Sequence, residues 1–259
     1  MKLALATKLG IGAEPLEAHL AFHLAAGVDV ILVESDGALA LPERFTRADG
    51  VELVRGSATA AAEELGADWV IESRANEFWW PRGGTLKQLL QPVSSSYGSV
   101  QALSREFVPA DIPGAPIAER MIYRRAQPSP ELRFVRRGRT DDAETSPVRG
   151  WYPIEVFHLS ANDDGYDKAF RRAVDDGSLT LDTRLRAAMR MIAEGRAPDF
   201  ARGSVAEEAR FAADLAALRD AELADTRNRL NALEHRLAAV ESGVIESVKR
   251  RLRASWKRT

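Results

Sequence analysis

The segment AHLAFHLAAGVDVILVESDG (residues 18–37) joins a helical pattern to a strand pattern. Leu16, Leu20 and Leu24 recur at helical spacing on one face, and Gly27 is placed to end the helix. The run VDVILVES that follows is rich in β-branched residues and predicts a strand. A strand that follows such a helix is typical of α/β folds.

The same alternation extends on both sides of this segment. Strands are predicted at LALAT (3–7), VELVR (51–55) and ADWVIES (67–73). A second helix is predicted at SATAAAEELG (57–66), with Ser57 as its N-cap. Helices of this length between strands indicate right-handed βαβ units, so we predict a largely parallel sheet flanked by helices.

The middle of the chain predicts a different kind of addition to that sheet. Residues 81–160 contain several short β-rich runs, namely VQALSREFV, ERMIYRR, LRFVRR and YPIEVFHL. We expect these runs to add antiparallel strands and long loops. Helices are predicted again at about 163–176 and 182–194 from their apolar spacing.

The C-terminal stretch changes character. From Ser204 to Trp256 there is no proline and a single glycine, Gly243, which predicts a long helix. An a/d-like spacing joins Leu223, Leu230, Leu233, Leu237, Val240 and Val244. We therefore predict an α/β domain over residues 1–195 and a helical extension over 196–259. The extension is either a self-associating coiled coil or a single helix packed on its own domain.

Composition excludes several classes of protein. The chain has 259 residues and no cysteine, which excludes a disulfide scaffold, a cysteine-ligated metal site and a cysteine nucleophile. A net charge of -2 argues against a nucleic-acid partner. Lys8 and Glu14 interrupt the apolar run at the N-terminus, and no window is long and apolar enough to span a membrane. A cytoplasmic protein is expected.

Two longer segments carry a family resemblance. ELGADWVIESRANEFWWPRGGTLKQLL (64–90), together with residues 18–37, resembles the family 2 glycosyltransferases of the GT-A fold. The resemblance is to the bacterial subgroup with a DADEFWWP box, and it extends to EVFHLSANDDGYDKAF (155–170) and DGSLTLDTRLRAAM (176–189). It covers roughly residues 1–195. It implies a Rossmann-like, mixed but mostly parallel sheet, and sugar transfer from a nucleotide-sugar to a glycan or lipid-linked acceptor in cell-surface polysaccharide synthesis.

The chain departs from this family where the chemistry takes place. The family's Asp-x-Asp-Glu motif holds a divalent cation that neutralises the diphosphate leaving group. Here those positions are Arg74, Ala75, Asn76 and Glu77, so both aspartates are missing and one is replaced by a cation. The resemblance therefore implies either no metal cofactor or weakly bound Mg²⁺ or Mn²⁺.

Two interpretations follow from this departure. In the first, the protein is a metal-independent glycosyltransferase in which Arg74 neutralises the diphosphate directly. In the second, it is a non-catalytic pseudo-glycosyltransferase that serves as a binding or oligomerisation scaffold. The residues expected to bind the nucleotide-sugar in the first case are Glu34, Asp36, Arg74, Asn76, Glu77, Trp79 and Trp80. For the two tryptophans, the alternative to stacking on a sugar is that one packs in the core and the other lines the cleft.

Other polar residues have competing interpretations. Asp163 and Asp164 stand at a predicted helix start, where one is a candidate general base and both are candidates for N-terminal capping. The resemblance makes His158 a candidate metal ligand. His19 and His23 have the i,i+4 spacing of metal ligands, but no third ligand is evident, so a packed pair is favoured.

The C-terminal end is basic and amphipathic. Its candidate membrane-contacting residues are Lys249, Arg250, Arg251, Arg253, Trp256, Lys257 and Arg258. Such a helix suits an anionic membrane surface, whereas the alternative is a solubilising helix end. The predicted partners are therefore a nucleotide-sugar, a glycan or lipid-linked acceptor, a second copy of the chain, and a peripheral contact with the inner membrane.

Overall fold

The apolar runs of the N-terminal half form the strands that the sequence predicts. The computed structural model of the chain describes residues 1–8, 14–35, 37, 40–110, 112, 114–138, 146–148, 153–159, 179–206, 209, 227–234 and 236. Its strands are β1 (Leu3–Lys8), β2 (Val30–Glu34), β3 (Val51–Val54), β4 (Trp69–Arg74), β5 (Glu77–Pro81), β6 (Tyr97–Val108), β7 (Tyr123–Arg125), β8 (Leu132–Arg137), β9 (Ser146–Val148), β10 (Ile154–Leu159) and β11 (Leu179–Leu181). Its helices are α1 (Glu14–Ala25), α2 (Ala58–Glu64), α3 (Leu86–Leu90), α4 (Ile117–Arg120) and α5 (Arg184–Ala193).

All these strands belong to one mixed sheet, which confirms the predicted fold class. Strands β3, β2, β1 and β4 lie side by side and parallel, with Leu5 of β1 next to Ile31 of β2 and Ile71 of β4. Antiparallel β8 connects β4 to the long strand β6, and β7 and β11 continue the sheet beyond β6. Strand β10 runs parallel to β6 and antiparallel to β5.

Helices cover both faces of the parallel strands. On one face, Leu5 and Ile31 pack in a cluster with Leu20 of α1. On the other face, Ala6 packs in a cluster with Ala62 of α2, and the small side chains let this helix approach the sheet closely. Each fully buried leucine contributes about 1.5–3 kcal/mol relative to an exposed one. This two-sided burial explains why these strands are almost continuously apolar.

The predicted helix ends are confirmed. Helix α1 ends at Ala25, and Gly27 follows with a φ of +96°, a backbone conformation that glycine adopts without strain. At the start of α2, the Ser57 hydroxyl oxygen accepts a hydrogen bond from the main-chain N–H of Ala60 at 3.2 Å. Gly27 lies between α1 and β2, and Ser57 lies between β3 and α2. These two residues therefore mark where the chain passes between a helix and a strand.

The predicted β-rich runs of the middle segment form strands, with one difference. The run ERMIYRR divides between the end of helix α4, at Arg120, and the short strand β7. The main-chain N–H of Met121 bonds to the carbonyl oxygen of Ile117, which closes the helical turn before the strand begins. The predicted helix at about 163–176 lies outside the described residues.

A buried charge cluster joins β6, β7 and β10 to the start of α5. Arg184 donates hydrogen bonds to Glu155 at 2.7 Å and to Asp182 at 2.8 Å, while Arg124 donates to Asp182 and Arg105 to Glu155. Burial would raise the pKa of the Glu155 and Asp182 carboxyls, but Arg184, together with Arg105 and Arg124, outweighs burial and lowers both pKa values. These contacts hold the sheet against α5.

The chain divides into two compact units, Met1–Ala209 and Arg210–Thr259. The first unit contains the whole sheet and a helical segment over residues 200–206. In the second unit, residues 227–234 and 236 are helical, and the other residues of this unit lie outside the described residues. In the described part of the chain, no helix is both long enough and apolar enough to cross a membrane.

Candidate functional site

A cavity of about 200 Å³ opens at the carboxyl ends of the parallel strands β1, β2 and β4. This edge of an open α/β sheet is where ligands bind in folds of this kind. The wall of the cavity consists of Ala6, Lys8, Glu34, Thr59, Glu72, Ser73, Arg74 and Arg133. The structure thus brings together two of the predicted site residues, Glu34 and Arg74, with two cations that the sequence did not single out, Lys8 and Arg133.

Arg74 stands at the end of β4 with its side chain exposed. Its main-chain N–H donates to a carboxylate oxygen of Glu77 at 3.0 Å. Among the residues that the structure describes, no hydrogen bond or ion pair engages its guanidinium group. The main chain of Arg74 is therefore fixed, while its charged group is available to a ligand in the cavity.

Glu34 also lines the cavity, but its carboxylate already has a structural role. One oxygen accepts a hydrogen bond from the main-chain N–H of Ala58, the first residue of α2, at 3.0 Å. The other oxygen lies 3.8 Å from the Lys8 amine, whose side chain is 72% exposed. Glu34 thus caps α2 and places Lys8 at the mouth of the cavity. Its predicted contact with the nucleotide-sugar remains a prediction.

Glu77 is buried behind the cavity-lining residue Arg133, with only 1% of its side chain exposed. Its carboxylate is ion-paired with Arg133 and accepts the N–H of Arg74. Burial would raise the pKa of Glu77, but contacts with His158, the Arg74 N–H and Arg133 outweigh burial and lower it. Glu77 therefore holds Arg133 and the β4–β5 turn in place. Its predicted contact with the nucleotide-sugar remains a prediction.

Asn76 also fixes this turn. Its side-chain Nδ2 donates to the Leu159 carbonyl oxygen at 2.8 Å, and the Leu159 N–H donates back to the Asn76 carbonyl oxygen at 2.9 Å. The amide therefore ties the turn to the end of β10. A direct contact between Asn76 and a nucleotide-sugar stays a prediction.

The structure corrects the expectation for the two tryptophans. Trp79 and Trp80 are 0% and 1% exposed, so neither ring presents a face on which a sugar can stack. The Trp79 indole N–H donates to the Ser73 hydroxyl at 3.1 Å, and Trp80 stacks on Phe157 with ring centroids 5.7 Å apart. Strand β5 is covered on both faces, which explains why both rings belong to the core.

A buried histidine pair, His19 and His23, is hydrogen-bonded to the main chain of β5. Nε2 of His23 accepts the main-chain N–H of Trp79 at 3.1 Å, and Nδ1 of His19 lies 2.9 Å from the Glu77 carbonyl oxygen. Burial lowers the pKa of His23 to about 4, and burial followed by the charge of His23 lowers the pKa of His19 well below its ordinary value. Both imidazoles are neutral near pH 7, and the pair is packed, as the sequence favoured.

His158 faces Glu77 across the β5–β10 pairing, with Nδ1 3.6 Å from a Glu77 oxygen. That distance is too long for a good hydrogen bond. No group of three or more histidine or acidic side chains that could hold a metal ion is present within the described ranges. The roles of His158 as a metal ligand and of bound Mg²⁺ or Mn²⁺ remain predictions.

Several predicted site residues lie outside the described residues. They are Asp36, the candidate catalytic residues Asp163 and Asp164, and the candidate membrane-contacting residues Lys249, Arg250, Arg251, Arg253, Trp256, Lys257 and Arg258. The assignments made for them from sequence stay predictions.

Sequence reasoning missed Lys8, Arg133 and Glu72 at the cavity. Lys8 ends an apolar strand, which is a usable signal, because side chains at the carboxyl ends of parallel strands face the ligand edge. Arg133 has no such signal. It reaches Glu77 because β8 pairs with β4 in a register that places Val135 beside Ile71, and that long-range register cannot be read from one sequence.

Comparison with known proteins adds little at the level of sequence. No protein-family model matches the chain, and no curated protein matches it. Among solved structures, it is similar to the crystal structure of 2-C-methyl-D-erythritol 4-phosphate cytidylyltransferase from Thermus thermophilus. The TM-score is 0.31 and the identity 11%, over 65% of this chain and 98% of that chain. A likeness at this level does not assign a chemistry to the cavity.

Proposed function

We propose that this chain binds the diphosphate of a nucleotide-sugar in the strand-end cavity without a divalent metal, as a glycosyltransferase-like protein of cell-surface glycan synthesis. The observation that carries the proposal is the Arg74 guanidinium. It lies exposed at the cavity wall, and no ion pair or hydrogen bond engages it among the described residues. A charged group in that position favours a ligand with negative charge.

The chemistry of the wall supports a phosphate ligand. Guanidinium groups bind phosphate through two parallel hydrogen bonds, and an ammonium group adds a mobile point charge. Arg74 and Lys8 supply these two kinds of group at the same edge of the sheet. A cavity of about 200 Å³ is smaller than the sites of whole drug-sized ligands, so it matches the anionic part of a nucleotide-sugar.

The turn after β4 supports a metal-independent mode of binding. A divalent cation needs several oxygen ligands, and carboxylates are the strongest of them. Position 74 carries a cation, and the nearest carboxylate, Glu77, is already ion-paired with Arg133. A divalent cation placed between Arg74 and Arg133 would be repelled by both guanidinium groups. In this proposal, Arg74 supplies the charge that the metal supplies in the family.

Binding without sugar transfer is the second candidate function. It is favoured by the loss of both aspartates from the motif, because the remaining side chains of the turn are a cation, Arg74, and an amide, Asn76. The glycan or lipid-linked acceptor belongs to the first candidate only.

Calorimetric titration with UDP- and GDP-sugars tests the proposal. Binding is expected in EDTA, and added Mn²⁺ should not strengthen it. Arg74→Ala should weaken binding by about 10- to 100-fold, because a hydrogen bond to a charged group is worth about 1.5–3 kcal/mol. Arg47→Ala is the matched control, since Arg47 is 79% exposed and stands just before Gly50 at the amino ends of β2 and β3.

Each outcome has a defined meaning. Binding that requires Mn²⁺ overturns the metal-independent mode, and binding unaffected by Arg74→Ala removes Arg74 from the site. An absence of binding by every nucleotide-sugar overturns the proposal itself. If binding is found, release of free nucleotide in the presence of acceptor identifies a transferase, and binding without release identifies the non-catalytic candidate.

A further inference from the structure

The second unit contains an exposed apolar stripe. Leu230 and Leu233 lie on the helical segment 227–234, and they are 54% and 58% exposed. All the other residues of this segment are exposed as well. Two leucines one helical turn apart on an exposed helix favour a partner with a matching apolar face.

The spacing of the apolar residues defines the geometry of that face. Leu230 occupies an a position and Leu233 a d position of a heptad. The same register places Leu223, Leu237 and Val244 at a, and Thr226 and Val240 at d. Residues 222–226 and 237–244 lie outside the described residues and enter through this register of the sequence alone. The repeat of 3.5 residues is that of a helix supercoiled on a similar helix.

The charged residues beside the stripe favour a second copy of the same chain. In a parallel, in-register coiled coil, each g residue faces the e residue of the next heptad in the other helix. Three such pairs fall within this stretch, and each joins opposite charges: Glu222 with Arg227, Arg229 with Glu234, and Arg236 with Glu241. The symmetry of a dimer doubles this number of pairs.

The antiparallel arrangement lacks this complementarity. There, g residues face g residues and e residues face e residues. When Leu230 packs on Leu233 of the second copy, Arg229 faces Arg236, which repel, and Arg227 faces Glu234, which attract. The antiparallel pair therefore gains no net complementarity from these charges, whereas every pair of the parallel arrangement is attractive.

We propose that the C-terminal helix joins two copies of this chain as a parallel, in-register coiled coil. The inference is independent of the function proposed for the cavity, since it uses residues of the second unit alone. Sedimentation velocity of the full chain is the first test. A dimer is expected, and a mass of one chain or of more than two overturns the proposal.

Charge reversal tests the orientation of the helices. Arg229→Glu places like charges in two of the interhelical pairs, and Glu234→Arg does the same, so each should weaken dimerisation by about tenfold. The double variant restores opposite charges and should recover the affinity to within a few-fold. A double variant as weak as the single ones overturns the parallel arrangement.

A crosslinking experiment tests the register. Because the chain has no cysteine, a single introduced thiol can form a disulfide only with the same thiol of a second copy. Thr226→Cys, at a d position, should form a disulfide-linked dimer on mild oxidation, since bridged Cα atoms must lie within about 7 Å. In an antiparallel pair centred between Leu230 and Leu233, the two thiols would be about 16 Å apart.

Asn228→Cys is the control, because position 228 lies on the outer face of the helix at an f position. It should remain uncrosslinked under the same conditions. Equal crosslinking of both variants indicates random collision and overturns the in-register pairing, as does an absence of crosslinking in Thr226→Cys.

Discussion

The buried histidine pair gives a quantitative prediction for stability in acid. His23 is fully buried, and burial is the largest cause that lowers its pKa from 6.5 to about 4. The pKa of His23 is lower in the folded chain than in the unfolded chain. As the pH falls, the unfolded chain therefore binds the proton at a higher pH than the folded chain does. The stability that neutral His23 provides is therefore complete above pH 6.5 and is lost as the pH falls toward 4.

The size of this loss follows from the two pKa values. Between about pH 7.5 and about pH 5, proton uptake at one such group lowers the free energy of unfolding by about 2 kcal/mol. His19 acts in the same direction, since burial and the charge of His23 hold its pKa well below 6.5. The total loss should therefore exceed the share of His23 alone.

Urea unfolding at a series of pH values measures the effect. Trp69, Trp79 and Trp80 are buried, so tryptophan fluorescence reports the unfolding of the α/β unit. His23→Asn should reduce the pH dependence, whereas the control His235→Gln, in the second unit, should preserve it. A free energy of unfolding that changes by less than about 1 kcal/mol across this interval would refute the assignment of a neutral, buried pair.

Two further predictions concern the stability of the sheet. Glu155→Gln removes one carboxylate from the buried charge cluster and leaves Arg184 with less compensation, so we expect a loss of about 3 kcal/mol in urea unfolding. Gly138→Ala places a Cβ atom in collision with the Ala67 carbonyl oxygen, so the backbone must move, and we expect a loss of about 2–3 kcal/mol in the free energy of unfolding.

Matched variants control for both effects. Glu194→Gln removes a carboxylate from an exposed pair with Arg196 and should change stability by no more than about 0.5 kcal/mol. At Gly203, a Cβ atom would meet only the flexible Met191 side chain, so Gly203→Ala should be tolerated. Equal losses in a variant and its control would contradict the burial or the close approach that each prediction invokes.

The parallel half of the fold could be predicted from the sequence because its signals are local. An apolar run, a Ser57 cap and a Gly27 helix end each act within a few residues, and all three are confirmed. The DADEFWWP-like box, which is also a local signal, gave a wrong expectation for the two tryptophans. It is local to β5, but the burial of Trp79 and Trp80 depends on the neighbouring strand β10, where Phe157 stacks on Trp80, and on α1, both from distant parts of the chain.

The charge at position 74 could be predicted from the sequence, but the contacts of the residues around it could not. Arg74 at the end of a predicted strand is visible in one line of sequence. The pairing of Glu77 with Arg133 spans 56 residues and depends on the register of β4, β8 and β6. Because of that pairing, the negative charge of Glu77 is already compensated by Arg133.

The structural role of Arg74 decides how its variants can be interpreted. The turn is held by the main chain of Arg74, the Asn76 amide and the Glu77 carboxylate, none of which uses the guanidinium group. Removal of an exposed side chain without such a contact changes stability by about 0.5 kcal/mol or less. Arg74→Ala should therefore unfold in urea like the unmodified chain. A loss of nucleotide-sugar binding in a variant of unchanged stability would then report the missing charge itself, and a destabilised variant would show that the guanidinium group has a structural contact.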